Sequence, residues 1–63
     1  MAEKITITIN TNNGAFEEDP NEVATILLKT AAKFAGVGQD IEQFDGDGVY
    51  DTNGNLVGVI IIT

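Results

Sequence analysis

The chain has 63 residues and a formal net charge of −7, with ten acidic and three basic residues and no cysteine, histidine or tryptophan. Its basic residues are Lys4, Lys29 and Lys33, and it also lacks serine and arginine. This composition excludes disulfides, thiolate or imidazole metal ligands, and serine–histidine or cysteine–histidine nucleophile pairs. We expect one small domain over residues 1–63, and a core of this size supplies only about 3–5 kcal/mol, which favours a partner subunit.

Residues 4–11 alternate between apolar and polar side chains, which predicts a β-strand. Ile5, Ile7 and Ile9 share one face of this strand. Thr6, Thr8 and Asn10 share the other face. The strand is expected to end in a turn at residues 12–14.

A helix is predicted to begin after Asp19, which would be the N-cap, with Pro20 in the first helical position. Glu22 falls three residues after the cap, as in a capping box, and Gly36 is the expected stop. At 100° per residue the core-facing stripe comprises Val23, Ile26, Leu27, Thr30 and Phe34.

Residues 37–48 are rich in glycine and aspartate and predict an ordered loop. Ile41 and Phe44 lie three residues apart, so a short helical turn that pins the loop to the core is an alternative.

Asn53-Gly54 between β-prone runs predicts a two-residue type I′ hairpin turn. That turn places Tyr50 opposite Val57, and Val49 opposite Gly58. Residues 56–63 are apolar on both faces, which is typical of a central strand. Gly58 is assigned to the inner face, where it would let the helix approach closely.

The predicted fold is therefore α+β, in the order β-α-β-β. It consists of a three-stranded antiparallel sheet, with the last strand central and one helix packed on one face. The other face of the sheet is expected to stay uncovered and to carry Thr6, Thr8, Tyr50, Val57, Val59 and Ile61. These side chains are either ordinary scattered surface residues or a contact patch. The marginal size of the domain favours a patch that pairs with a second copy, as a homodimer, or with a partner.

The acidic residues offer little chemistry. Asp45 and Asp47 are close enough in sequence for paired-carboxylate catalysis, but no histidine, arginine or serine completes a site. The aspartates around residues 45–55 do not match the twelve-residue calcium loop, so we interpret them as turn residues. We therefore predict no enzymatic activity, no cofactor and no bound metal.

The excess of acid has one functional interpretation. Ten carboxylates against three lysines oppose direct nucleic-acid binding and favour a basic protein partner. Solubility and helix-dipole matching are the alternative explanation. The candidate contact residues are Glu17, Glu18, Asp40, Glu42, Asp45 and Asp47. The longest apolar run is too short for a membrane span, so we expect a cytoplasmic protein without membrane contact.

Several segments carry a resemblance: the Ile-Thr alternation of the first strand, Ala15-Phe16-Glu17 before the helix, and the closing Asn53-Gly54-Asn55 with Val57-Gly58. Together they resemble a family of small bacteriophage and prophage proteins that has no settled activity. The resemblance covers most of the chain and implies a phage context in a bacterial host cell, with no catalytic residues to carry over.

From these features we expect a small acidic protein that acts through protein–protein contact. One concrete form is an inhibitor of host defence, such as an anti-CRISPR protein that blocks a basic nucleic-acid channel. The alternative is a structural or assembly accessory that forms a homo-oligomer.

Overall fold

A computed structural model describes residues 3–63. The elements are β1 (Ile5–Ile9), α1 (Gly14–Glu18), α2 (Glu22–Phe34), a 3₁₀ segment (Gly38–Phe44), β2 (Gly48–Tyr50) and β3 (Leu56–Ile62). The strands form one antiparallel sheet in the order β1-β3-β2. The predicted α+β class and the central position of the last strand are confirmed.

The core lies between the sheet and α2. Its buried apolar residues are Ile26, Val49, Val57, Ile60 and Ile62. Phe34 at the end of α2 meets Phe44 of the 3₁₀ segment edge to face, with ring centroids 5.1 Å apart. The 3₁₀ segment therefore lies beside α2, on the same side of the sheet, and leaves the other face uncovered.

The start of the helix differs from the prediction. Residues 14–18 form α1, which the sequence did not indicate, and Asp19 closes α1 by donating its backbone N–H to the Ala15 carbonyl. The N-cap of α2 is Asn21, without a side-chain bond. The predicted capping box is wrong, because the Glu22 carboxylate accepts hydrogen bonds from the backbone N–H and hydroxyl of Thr52 instead. Gly36 follows the helix at a φ of 75°, so the predicted stop is confirmed.

The hairpin turn also differs. No non-glycine residue among residues 3–63 has a positive φ, so Asn53 does not form a type I′ turn. Asp51 instead pairs with Asn55 and closes a three-residue loop in which Gly54 has a φ of 84°. Val49 lies opposite Gly58 as predicted, but Tyr50 lies opposite Leu56, which leaves Val57 as the extra residue of a β-bulge.

The bulge exchanges two residues between the faces of the sheet. Val57 is only 7% exposed and belongs to the core, whereas Leu56 is 66% exposed. The prediction that Val57 lies on the uncovered face is therefore wrong. We use the name "open face" for the surface that the structure leaves uncovered, which consists of Thr6, Thr8, Tyr50, Leu56, Val59 and Ile61.

The core-facing side of α2 is rotated from the predicted stripe. Glu22, Ile26 and Thr30 are buried, while Val23 and Leu27 are exposed. The flank of α2 that carries Lys29 and Lys33 borders a cavity of about 180 Å³, which it shares with residues of β2. Because Val23 and Leu27 lie on the opposite flank, they are turned away from β2.

The same placement of α2 leaves part of β1 uncovered. Ile5 and Ile7 point to the helix side of the sheet, because they pair with Ile62 and Ile60, which lie in the core. They are nevertheless 41% and 37% exposed, and in β1 it is Ile9 that packs against the core. The helix therefore covers the β2–β3 half of the sheet more fully than it covers β1.

Gly58 allows a close approach of the neighbouring strand rather than of the helix. A Cβ atom at this position would overlap the backbone carbonyl oxygen of Thr8. Residue 58 must therefore be glycine for β1 and β3 to pair as they do.

We expect Gly58→Ala to destabilise the fold by about 3 kcal/mol or more, because the obstacle is backbone and overpacking alone costs about 1–3 kcal/mol. Urea denaturation followed by circular dichroism measures this loss. Gly14→Ala is the control, since no atom lies within 4 Å of a Cβ placed there. Equal stability of the two variants would contradict the assigned role of Gly58.

Candidate interaction surface

The open face presents apolar groups on a rigid layer. Tyr50 is 54% exposed and Leu56 is exposed opposite it, while Ile61 is exposed farther along β3, beyond the half-buried Val59. Gly48 lies under two of these side chains, because a Cβ there would come within 2.7 Å of Leu56 Cδ1 and 3.1 Å of Tyr50 Cε2. Leu56 and Tyr50 therefore lie together over Gly48 and form one continuous apolar area.

A polar depression adjoins this area at the end of the sheet near the hairpin. It has a volume of about 400 Å³ and is lined by Asn10, Asn12, Asn13, Leu56 and Val57. Amide side chains both donate and accept hydrogen bonds, so this rim suits a polar backbone or side chain of a protein partner.

The predicted acidic residues do not form one surface. Glu17 and Glu18 lie exposed on α1, which is tied to the hairpin end of the sheet through Asn13. Asp40 and Glu42 lie exposed on the 3₁₀ segment, which packs along β3. This segment leads to Asp45, which bonds the far end of β3 at Ile62. The molecule is 39 Å long, and the two groups of carboxylates lie towards opposite ends of the central strand.

Asp45 and Asp47, also predicted as contact residues, have structural bonds. The Asp45 Oδ1 accepts the Ile62 backbone N–H at 2.9 Å, and the Asp47 carbonyl accepts that of Ile60 at 2.8 Å. They therefore continue the hydrogen bonding of β3 beyond the short strand β2. The Asp47 carboxylate also lies 3.5 Å from Lys33 Nζ in an exposed ion pair.

Two other carboxylates are buried. Glu22 is 1% exposed and Asp51 is 3% exposed. Asp51 accepts from four N–H donors: Asn53 N and Asn55 N at 2.9 Å, Asn55 Nδ2 at 3.1 Å and Asn13 Nδ2 at 3.2 Å. These donors fill the acceptor positions of the carboxylate.

Glu22 completes the same arrangement from the helix. Its Oε1 accepts the Thr52 backbone N–H at 2.8 Å, and its Oε2 accepts the Thr52 hydroxyl at 3.0 Å. The Asp51 carboxylate accepts the backbone N–H groups of residues 53 and 55, and backbone carbonyls accept those of residues 51 and 54. Every backbone N–H of residues 51–55 therefore has an acceptor. We use the name "loop carboxylates" for Glu22 and Asp51.

The hydrogen bonds also set the pKa of Asp51. The backbone N–H of Asn55 is the largest influence, and with the other donors it holds the pKa of this carboxyl below its ordinary value of 3.8. Desolvation acts in the opposite direction and is outweighed. The carboxylate is therefore ionised at neutral pH and acts as an acceptor.

Sequence reasoning missed the loop carboxylates, although one signal was present. Asp51 precedes Asn53 and Asn55 at spacings of two and four, and aspartate commonly bonds the backbone N–H two residues on. Nothing local indicated Glu22, because its acceptor role depends on a residue 30 positions away. Within residues 3–63, no group of three or more aspartate or glutamate side chains is arranged so that it could hold a metal ion.

Comparison with known proteins adds no relationship, since no family model, curated protein or solved structure matches the chain. Among residues 3–63, no helix has the length and hydropathy to cross a membrane.

We expect Glu22→Ala to destabilise the fold by about 1–3 kcal/mol, because it removes a buried side chain that accepts hydrogen bonds from the Thr52 N–H and hydroxyl. Glu22→Gln keeps a carbonyl oxygen for that N–H and an amide that donates to the Thr52 hydroxyl, so it should lie near wild type. Urea denaturation of both variants measures the difference. A Gln variant as unstable as the Ala variant would contradict the acceptor role.

We expect the melting temperature of Asp51→Asn to lie below that of wild type at neutral pH. The pKa of Asp51 is lower in the folded protein than 3.8, so its stabilising contribution is complete above that value and is lost as the pH falls through the folded pKa. The gap between wild type and Asp51→Asn should therefore narrow in acid.

Thermal unfolding from neutral pH to pH values below 3.8 measures that gap. Asp40→Asn, at an exposed position, is the matched control. A gap for Asp51→Asn that stays constant with pH would refute the ionic origin of the effect.

Proposed function

We propose that this chain is a small acidic, non-catalytic protein of phage or prophage origin that acts by contacting a basic host protein. The observation that carries the proposal is the open face, where Tyr50, Leu56 and Ile61 stay exposed in a domain with few apolar residues to spare. Exposed apolar area of this kind is typical of interaction sites.

The side chains of this surface suit a protein partner. Tyrosine combines a large apolar ring with a polar hydroxyl and is enriched in residues that dominate binding energy. The open face holds Tyr50 on a short strand bonded to the centre of the sheet, so its backbone costs little to order on binding.

The charge supports a basic partner. A net charge of −7 speeds association with a positively charged surface and disfavours acidic ones. The exposed carboxylates lie towards both ends of the molecule and outside the open face, so they would attract a basic partner through the field of the whole molecule rather than occupy the apolar contact.

The loop carboxylates support a role without catalysis. They are the buried acidic groups of the described chain, and their oxygens are held by backbone and side-chain donors. A general base needs a free lone pair directed at its substrate. Their chemistry is structural, and the contact proposal rests on the surface instead.

The test is capture of a partner from a bacterial host lysate on immobilised protein, followed by binding measurements with the purified partner. We expect Tyr50→Asp to weaken binding by about tenfold or more, since a loss of ~1.4 kcal/mol is modest for an interface tyrosine. Binding should also weaken as salt is raised.

Leu28→Asp is the control for the added charge, because Leu28 is exposed on α2 and lies outside the open face. Equal binding by wild type and Tyr50→Asp, or an equal loss with Leu28→Asp, would remove the open face from the contact. Binding that is indifferent to salt would remove the electrostatic part.

An anti-CRISPR inhibitor is the concrete form of this function that we propose to test first. Expression of the chain in bacteria with active CRISPR immunity should restore plaque formation by a targeted phage. Tyr50→Asp should abolish the effect. Continued immunity in every CRISPR type tested would exclude the anti-CRISPR function. The proposed contact would then have to be with a different basic host protein.

A second candidate is a structural or assembly accessory that forms a homo-oligomer. The observation that favours it is the exposure of Ile5 and Ile7 on β1, away from the open face. Stable self-association without any captured partner would favour this candidate over the first.

A further inference from the structure

The outer edge of β1 presents unpaired backbone groups. The Lys4 N–H donates to the Thr63 carbonyl, just beyond β3, at 2.9 Å, and the Asn10 N–H donates to the Val57 carbonyl of β3 at 2.7 Å. Since N–H and C=O groups of successive strand residues point to opposite sides, those of Ile5, Ile7 and Ile9 point outward. None of residues 3–63 pairs with this edge.

This edge lacks the features that usually protect one. Natural edges are short, charged, interrupted by proline or bulged. The other edge strand, β2, has three residues, and the bulge of the sheet lies beside it. By contrast, β1 has five residues, Ile-Thr-Ile-Thr-Ile, with high β propensity and neither charge nor proline.

We propose that this edge pairs with the same edge of a second copy of the chain, in antiparallel orientation, and joins the two sheets into one. The register that pairs all outward residues places Ile7 opposite Ile7 of the second copy. Ile5 then lies opposite Ile9 of the second copy, and each outward residue exchanges both of its hydrogen bonds. Its hydrogen bonds lie along the strand edge, whereas the proposed partner contact uses side chains of the open face, and Thr6 and Thr8 lie at the border of the two.

Charge identifies a second copy as the occupant. Two molecules of net charge −7 repel each other wherever their acidic surfaces meet. Residues 5–16 contain no charged side chain, so β1 is where two copies approach without opposing carboxylates. A basic partner gains no electrostatic attraction from this neutral strand. An identical strand presents the outward N–H and C=O groups that pair with those of β1, without adding opposed charge.

The exposed apolar groups near β1 support the same pairing. Ile5 and Ile7 are partly exposed on the helix side of the sheet, and Val23 and Leu27 are exposed on the flank of α2 turned away from β2. Pairing adds a strand beside β1 at a spacing of about 4.8 Å. The isoleucines of both copies then form one apolar layer between the two α2 helices, within reach of these flanks.

Two double variants test the register, because Thr6 lies opposite Thr8 of the second copy on the open face. Thr6→Lys with Thr8→Lys opposes lysines across the interface, whereas Thr6→Lys with Thr8→Glu opposes lysine and glutamate. Both threonines are exposed, so both variants should fold. We expect a wild-type dimer by analytical ultracentrifugation, at least tenfold weaker association for the Lys/Lys variant, and retained association for the Lys/Glu variant.

Hydrogen exchange of the wild-type protein gives an independent readout of the edge. The amides of Ile5, Ile7 and Ile9 should become protected as protein concentration rises, while those of Thr6 and Thr8, already bonded to β3, should not change. A wild-type monomer at every concentration would overturn the proposal, as would a dimer with these isoleucine amides unprotected.

Equal dissociation of the Lys/Lys and Lys/Glu variants would also overturn the edge pairing and would place self-association on the open face. The outcome is separable from the proposed partner contact, because Tyr50→Asp changes the open face and leaves the edge of β1 intact.

Discussion

The structure depends on how the backbone N–H groups of residues 51–55 are satisfied. A tight loop points several backbone N–H groups in the same direction, and each N–H that loses its contact with water without gaining an acceptor costs free energy. Asp51 accepts two of them from within the loop, and Glu22 accepts a third from α2. Asn13 connects Asp51 to the start of α1, so one set of hydrogen bonds joins both helices to the β2–β3 hairpin.

The conformation of that loop decides which side chains the open face presents. Because the loop has three residues and Val57 is bulged, Val57 turns into the core and Leu56 turns outward. Leu56 then lies beside Tyr50 over Gly48. The apolar area on which we base the proposed partner contact is therefore a consequence of the hairpin geometry, and through it of the loop carboxylates.

The single long helix explains the two uncovered apolar regions. A lone α2 on a three-stranded sheet leaves one face open and also leaves β1 partly exposed on the helix side. The acidic residues lie mainly towards the ends of the molecule, and β1 is neutral. This separation lets Tyr50 and Leu56 on the open face meet a basic partner while the edge of β1 pairs with an identical strand, as we propose, with Thr6 and Thr8 at the border of the two contacts.

By itself, the sequence determined the features that follow from local periodicity and single-residue geometry. The alternation of residues 4–11 predicted β1, Gly36 marked the end of α2, and the apolar run of residues 56–63 predicted a central strand. Tertiary structure alone decided the burial of Glu22, the bulge at Val57 and the partial exposure of Ile5 and Ile7. The physical reason is the range of the interactions: periodicity reports which face of an element is apolar, whereas hydrogen bonds between distant segments decide what covers that face.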